Sequence, residues 1–123
     1  MKKTAIIVAG GIGTRMGSEM PKQFILLNNK PIIVRTINAF IEAFPDIEIV
    51  VVLPENHLQA GISLITSFTT YKQIVFTVGG DSRFQSVKNG LAFVKEHSIV
   101  FVHDAVRCLV TPHLIQSCYH QAV

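Results

Sequence analysis

Val8-Ala9-Gly10-Gly11-Ile12-Gly13-Thr14-Arg15-Met16-Gly17-Ser18-Glu19-Met20-Pro21-Lys22-Gln23-Phe24 follows without a break on an apolar run, Thr4 to Ala9. A short continuous run of this kind, bounded by turn residues, reads as a fully buried strand. Glycines at positions 10, 11, 13 and 17 then let the backbone turn sharply and present N–H groups with no Cβ in the way. Concavities lined by amide dipoles bind phosphate. Arg15 and Lys22 place two cations in the same loop. Pro21 fixes its own φ and pushes Met20 out of the helical region, so Lys22 sits on a stiff mount. A loop with amides from Ala9, Gly10, Gly11 and Gly13 and two positive charges suits a highly charged phosphorylated ligand. It points to phosphoryl or nucleotidyl chemistry.

Two better-known glycine loops do not fit. Gly11-x-Gly13 is followed by Gly17, which misses the dinucleotide spacing. The acidic residue expected about 20 positions on is absent, since that region reads Lys30-Pro31-Ile32-Ile33. No Gly-Lys-Ser/Thr closes the loop as it would in a Walker A motif. A tight structural turn is the remaining alternative, and it would have no need of a mounted lysine.

Outward from the loop, strand and helix patterns alternate. Further strands are expected at Ile47–Leu53, Gln73–Val78 and Ile99–His103, all rich in Val, Ile or Phe and apolar on both faces. Such strands belong to a parallel sheet covered on both sides. A first helix starts near Pro31, a residue favoured in the first turn, and shows Ile33, Ile37, Phe40, Ile41 and Phe44 on one face up to Pro45. A second runs from about Glu55 to Ser67 with Leu58, Ile62 and Ile65 inward. The third carries a stripe of Phe84, Val87, Leu91 and Val94 at helical spacing, with Ser82 and Gln85 at capping-box spacing. Gly90 lies inside it at a cost of about 1 kcal/mol relative to alanine, which argues for close packing there.

Alternating strands and helices predict a doubly wound α/β fold of Rossmann-like type with a mainly parallel sheet. The expected order of the four strands is 3-2-1-4. Ligands of such sheets bind beyond the carboxyl ends of the strands, where the order reverses. The glycine loop, Gly79-Gly80-Asp81 and Asp104 each follow a strand end and should converge there.

Composition narrows the field. The chain has 123 residues, 49% of them apolar, enough for the core of one domain. The net charge of +3 comes without a basic run or aromatic-interleaved patch, so nucleic acid is not the expected partner. Met1-Lys2-Lys3 leads into an apolar stretch too short for a signal peptide, and no run approaches membrane-spanning length. A cytoplasmic setting is expected, with Cys108 and Cys118 as reduced, incidental thiols.

Nucleotidyl transfer brings an attacking phosphate oxygen to a nucleotide α-phosphorus, so two anions must meet. Catalysis is then positioning plus stabilisation by cations and amides. Arg15 offers a planar fork of donors and Lys22 a movable point charge. No nucleophilic side chain is required. Asp104 ends an apolar strand and suits Mg²⁺, which prefers one or two carboxylates plus phosphates and water. Its structural alternatives are a helix N-cap or a partner for Arg107. His103 beside it should face the opposite side of the sheet. Gly80, Asp81 and Ser86 are either a recognition element or the cap and first turn of the third helix. Gln23 and Arg83 suggest no role.

Three segments in order carry a resemblance. Ala-Gly-Gly-x-Gly-x-Arg-Met-Gly with Pro21-Lys22-Gln23-Phe24, then Gly79-Gly80-Asp81-Ser82-Arg83-Phe84-Gln85-Ser86-Val87, then Val102-His103-Asp104-Ala105-Val106-Arg107 resemble the 2-C-methyl-D-erythritol 4-phosphate cytidylyltransferases. The likeness runs from about Thr4 to the end of the chain. It implies a fold of the nucleotide-diphospho-sugar transferase type, and CTP and a sugar-alcohol phosphate as substrates, joined with release of pyrophosphate in isoprenoid precursor synthesis. It assigns cytosine and ribose recognition to Gly80, Asp81 and Ser86, and the methylerythritol phosphate end of the site to Arg107. It also implies a homodimer in the full-length protein. The family pattern Asp-Ala-Ala-Arg-Pro departs here to Asp104-Ala105-Val106-Arg107-Cys108, a change that would reshape the acceptor side.

Members of that family are longer, and Thr111 to Val123 reads as a helix without a closing signal. Residues 1–123 are therefore expected to be the N-terminal nucleotide-binding part of one larger catalytic domain, inactive by itself. The alternatives are a cytidylyltransferase for ribitol phosphate or another sugar phosphate, an inactive nucleotide-binding fragment, and a dinucleotide-dependent oxidoreductase. The last would have no use for Arg15 and Lys22.

Overall fold

The computed structural model describes residues 2–9, 26–27, 30–94, 98–104, 112–113 and 115–117. Strand β1 spans Lys2–Val8. A small antiparallel pair follows, β2 at Leu26–Leu27 and β3 at Lys30–Pro31, with Leu26 opposite Pro31. Helix α1 covers Ile32–Ala43 and leads to β4 at Glu48–Leu53. A single 3-10 turn, Glu55–His57, opens onto α2 at Leu58–Phe68. Then come β5 at Ile74–Val78, α3 at Arg83–Leu91 and β6 at Ser98–Asp104.

The four long strands form one parallel sheet in the order β5-β4-β1-β6. That is the order 3-2-1-4 expected from the sequence. The four expected strands match their observed bounds to within two residues. The short pair β2–β3 was not anticipated. Pro31 ends β3 and stands immediately before α1, with φ −60° and ψ 144°, rather than inside the first turn.

Period-2 alternation splits the sheet's side chains between two cores. On one face Ala5, Ile7, Ile49, Val51 and Leu53 pack with Ile33, Val34, Ile37 and Phe40 of α1 and Ile65 of α2. On the other, Ile6, Val8, Val50 and Val52 pack with Val87 and Val94 at α3. Helices on both faces make the sheet doubly wound. The central strands β1 and β4 are buried, whereas the outer ones expose Val75 and Val102 on the α3 side. Among the described residues α3 covers that face, whereas α1, α2 and the helical residues around Ile115 pack on the other.

α1 meets β6 through an aromatic row: Phe40 lies 5.6 Å from Phe101, and Phe44 lies 6.0 Å from it, between ring centroids. Residues 112–113 and 115–117 are helical; Ile115 joins the same core and the Gln116 amide donates to the Ala43 carbonyl at 3.0 Å. That bond satisfies one of the carbonyls left open where α1 ends.

The stripe expected on α3 is half realised: Val87 and Val94 pack on the sheet, but the other two members do not. Phe84 is 75% exposed and Leu91 45%, while Ser86 and Gly90 are the buried positions. The cause is proximity. A Cβ at Gly90 would stand 2.8 Å from Cγ2 of Ile6 and 3.2 Å from Cγ2 of Val52. The helix lies so close to the sheet that Ser86 and Gly90 face inward beside Val87, while Phe84 and Leu91 turn away. No helix among the described residues is long and apolar enough to cross a membrane.

Candidate functional site

From β1 the chain steps to β4 and β5 on one side, then returns across the sheet through α3 to β6 on the other. The order reverses between β1 and β6, where doubly wound sheets bind ligands. The register puts Val8 opposite Asp104 at that point. Ala9 continues β1, its N–H donating to the Val52 carbonyl at 2.8 Å, and delivers the chain into the glycine loop. Gly10, Gly11, Gly13, Arg15, Lys22 and Arg107 lie outside the described residues, as do Gln23, Val106 and both cysteines.

Asp104 and His103 point to opposite faces, as neighbours on a strand do. The His103 ring meets the edge of Phe40, 5.8 Å between centroids, on the α1 side. Asp104 lies on the α3 side, where its Oδ1 accepts from Arg83 Nε at 3.1 Å. Arg83 is the first residue of α3, so this half-exposed ion pair ties the start of the helix to the end of β6. The sequence offered no role for Arg83 and suggested Arg107 as the pairing partner, because separation along the chain hides this contact.

The turn after β5 is held by α3 at several points. Gly79 N–H donates to the Leu53 carbonyl at 2.7 Å. Gly80 N–H donates to Ser86 Oγ at 3.1 Å, and Ser86 is fully buried. Ser82 is the N-cap: its hydroxyl accepts from Gln85 N–H at 3.1 Å, leaving Asp81 exposed in front of the helix. Only half of the expected capping box forms, because the Gln85 side chain turns the other way and donates to Asn89 Oδ1 at 2.9 Å. Asn89 Nδ2 in turn donates to the Val78 carbonyl at 2.8 Å. A Cβ at Gly80 would collide with the Gln85 stem, whose Cβ lies 2.6 Å away. Glycine at position 80 is therefore required for Gln85 to lie under the turn.

Asn89 was not singled out in the sequence, and Gln85 only as the capping-box partner of Ser82. Their spacing was the available signal, because Gln and Asn four apart on a helix can hydrogen-bond. Asparagine is also a poor helix-interior residue that calls for a local reason.

Among the described residues no cluster of three or more His, Cys, Asp or Glu could hold a metal ion. A divalent ion at this edge would rest on the Asp104 carboxylate and on oxygens brought by a phosphorylated ligand. That donor set suits Mg²⁺, which dehydrates reluctantly and binds through one or two carboxylates plus phosphates.

The fold, with its order reversal and a glycine-rich segment leaving the first strand, defines a Rossmann-like α/β domain. The sequence profile of 2-C-methyl-D-erythritol 4-phosphate cytidylyltransferase matches residues 3–122, and the chain belongs to that family. It is 42% identical over 123 residues to the Bacteroides fragilis protein of that name, covering 100% of this chain and 56% of the relative. The protein of the same name from Azobacteroides pseudotrichonymphae is 46% identical over 122 residues, covering 98% of this chain and 54% of its own length. The crystal structure of the Francisella tularensis enzyme superposes with a TM-score of 0.75 at 35% identity, over 98% of this chain and 52% of that one. The chain thus spans about half the length of the relatives it matches.

Proposed function

We propose that residues 1–123 are the N-terminal nucleotide-binding part of one larger catalytic domain, that of a CTP-dependent cytidylyltransferase acting on 2-C-methyl-D-erythritol 4-phosphate. The observation that carries this is the register of Asp104 against Val8, at the mouth of the glycine loop, in a chain of this family. A phosphate oxygen of the acceptor attacks the α-phosphorus of CTP. The bond from that phosphorus to the bridging oxygen breaks, and pyrophosphate leaves with the electron pair. The attacking oxygen is already an anion, so no side chain need remove a proton.

Arg15 and Lys22 neutralise the charge gathering on the α-phosphate and the leaving group. Gly10, Gly11 and Gly13 supply amides to the phosphates, and Ala9 fixes where that loop begins. Gly80 and Asp81 read the base, on a turn shaped by Ser86. Asp104 would hold Mg²⁺, which lends positive charge to the phosphate oxygens. Arg107 addresses the acceptor phosphate. We place the protein in the cytoplasm as a homodimer, the acceptor site being completed by the half that its relatives carry beyond the matched region.

The test is pyrophosphate release from CTP and methylerythritol phosphate. It is run on the 123-residue chain and on the same chain fused to the C-terminal half of the B. fragilis relative. The fusion should turn over and the short chain should not. Arg15→Ala or Lys22→Ala in the fusion should lower turnover about 10²-fold or more. Near-normal turnover in both variants would mean that the loop is structural.

A further inference from the structure

We infer that Gln85 and Asn89 are positioning residues for base selection, acting through the turn that ends β5. This rests on the reading that Gly80 and Asp81 face the nucleotide base. The reasoning starts from polarity. A backbone carbonyl only accepts, so the Val78 oxygen requires the nitrogen end of the Asn89 amide. Asn89 must then turn its oxygen to Gln85, which answers with its own nitrogen. The chain Gln85 to Asn89 to Val78 is thereby fixed in direction, and its far end is the last carbonyl of the strand carrying the turn.

Two further bonds complete the hold: Gly79 N–H on the Leu53 carbonyl, and Gly80 N–H on buried Ser86. With these groups engaged, the carbonyls of Gly79 and Gly80 and the N–H of Asp81 are what the turn can offer a ligand. A base is distinguished by the positions of its donors and acceptors. Selection therefore depends on holding those backbone groups still. The glycine loop proposed for the triphosphate leaves β1, on the other side of β4 from this turn, so loosening the turn should affect the base and spare the phosphates.

The test compares CTP with ATP, both with Mg²⁺, by calorimetric titration of the protein and three variants. Asn89→Ala removes the bond to Val78. Gln85→Glu is made at an exposed position and sets a carboxylate against the Asn89 oxygen, so the relay must reverse or break. Each should weaken CTP binding roughly 3- to 10-fold, the range for one lost hydrogen bond, with ATP binding unchanged. Gln85→Ala leaves the Asn89 bond to Val78 intact and should cost less than either. Equal CTP-to-ATP ratios in wild type and both main variants would overturn the inference. So would a parallel loss for both nucleotides, which marks a merely structural role. If the wild type itself fails to prefer CTP, the base assignment of Gly80 and Asp81 is what fails, and the inference falls with it.

Discussion

Gly90→Ala isolates the closest approach between α3 and the sheet. Two effects oppose each other. Replacing glycine by alanine inside a helix is worth about 1 kcal/mol of stabilisation. Against that, the new methyl would lie 2.8 Å from Cγ2 of Ile6 and 3.2 Å from Cγ2 of Val52. Carbon atoms prefer roughly 3.5–4.0 Å, so the first contact needs about 0.7 Å of retreat. Ile6 cannot supply it: the side chain is fully buried, and its strand is held by β4 and β6 on either side. The helix must move instead, and overpacking of this kind costs about 1–3 kcal/mol. Set against the propensity gain, the expected net loss is about 1 kcal/mol, or roughly 5 °C in melting temperature for a domain of this size. Urea denaturation of wild type, Gly90→Ala, Ile6→Ala and the double variant measures it. In the double variant the smaller residue 6 makes room, so the two losses should sum to more than the observed one. A Gly90→Ala protein as stable as wild type, with additive double-variant behaviour, would refute the close-packing argument.

Thr4→Val should stabilise the fold by about 1 kcal/mol, since the Thr4 hydroxyl is buried without a hydrogen-bond partner among the described residues and valine replaces it with a methyl of like shape. A higher urea midpoint checks this, and a lower one would show that the hydroxyl is satisfied. Tyr71 shares its single phenolic proton between the carbonyls of Pro45 and Ile47, binding the turn before β4 to the segment before β5. Burial, then the charges of Asp46 and Glu48, raise its pKa above 10.0. A raised acid stabilises the fold while protonated: the contribution is full below pH 10 and disappears as pH climbs through the higher folded value. Tyr71→Phe should therefore lose about 1 kcal/mol at neutral pH and show a smaller further decline above pH 10 in denaturant titrations.

The sheet was legible because β1 and β4 are continuous apolar runs buried on both faces, and the turn residues between elements were unambiguous. The order 3-2-1-4 was the one expected for a doubly wound sheet read from the alternation of strands and helices, and it is the order found. The pair β2–β3 was missed because strands of two residues are too short to show any period. The inward face of α3 was misread only in part, since Val87 and Val94 do pack on the sheet, and for a different reason. Hydrophobic periodicity assumes that the bulkiest side chains meet the core, whereas here Gly90 and Ser86 do, and Phe84 and Leu91 turn outward. Gly90 was the clue, and its cost in a helix did signal close packing. Of the candidate site, the placement of Asp104 at the end of β6 and of the Gly80 turn after β5 was readable from motif and position. The Arg83–Asp104 pair and the Gln85–Asn89 relay were not, since both depend on where the helix lands.

The rest of Gly90 on Ile6 and Val52 makes α3 a lever lying across the two central strands, with its fulcrum near one end. Seven residues separate Gly90 from Arg83, about 10 Å along a helix. A tilt of about 5° at the fulcrum would thus swing the tip by nearly 1 Å, by simple geometry on that length. At that tip sit the cap of the β5 turn and the guanidinium that steers Asp104. The β5 turn and Asp104 are therefore mechanically geared to one another: a tilt of α3 as a whole body would shift both together, whereas a side chain removed from the helix without tilting it would not.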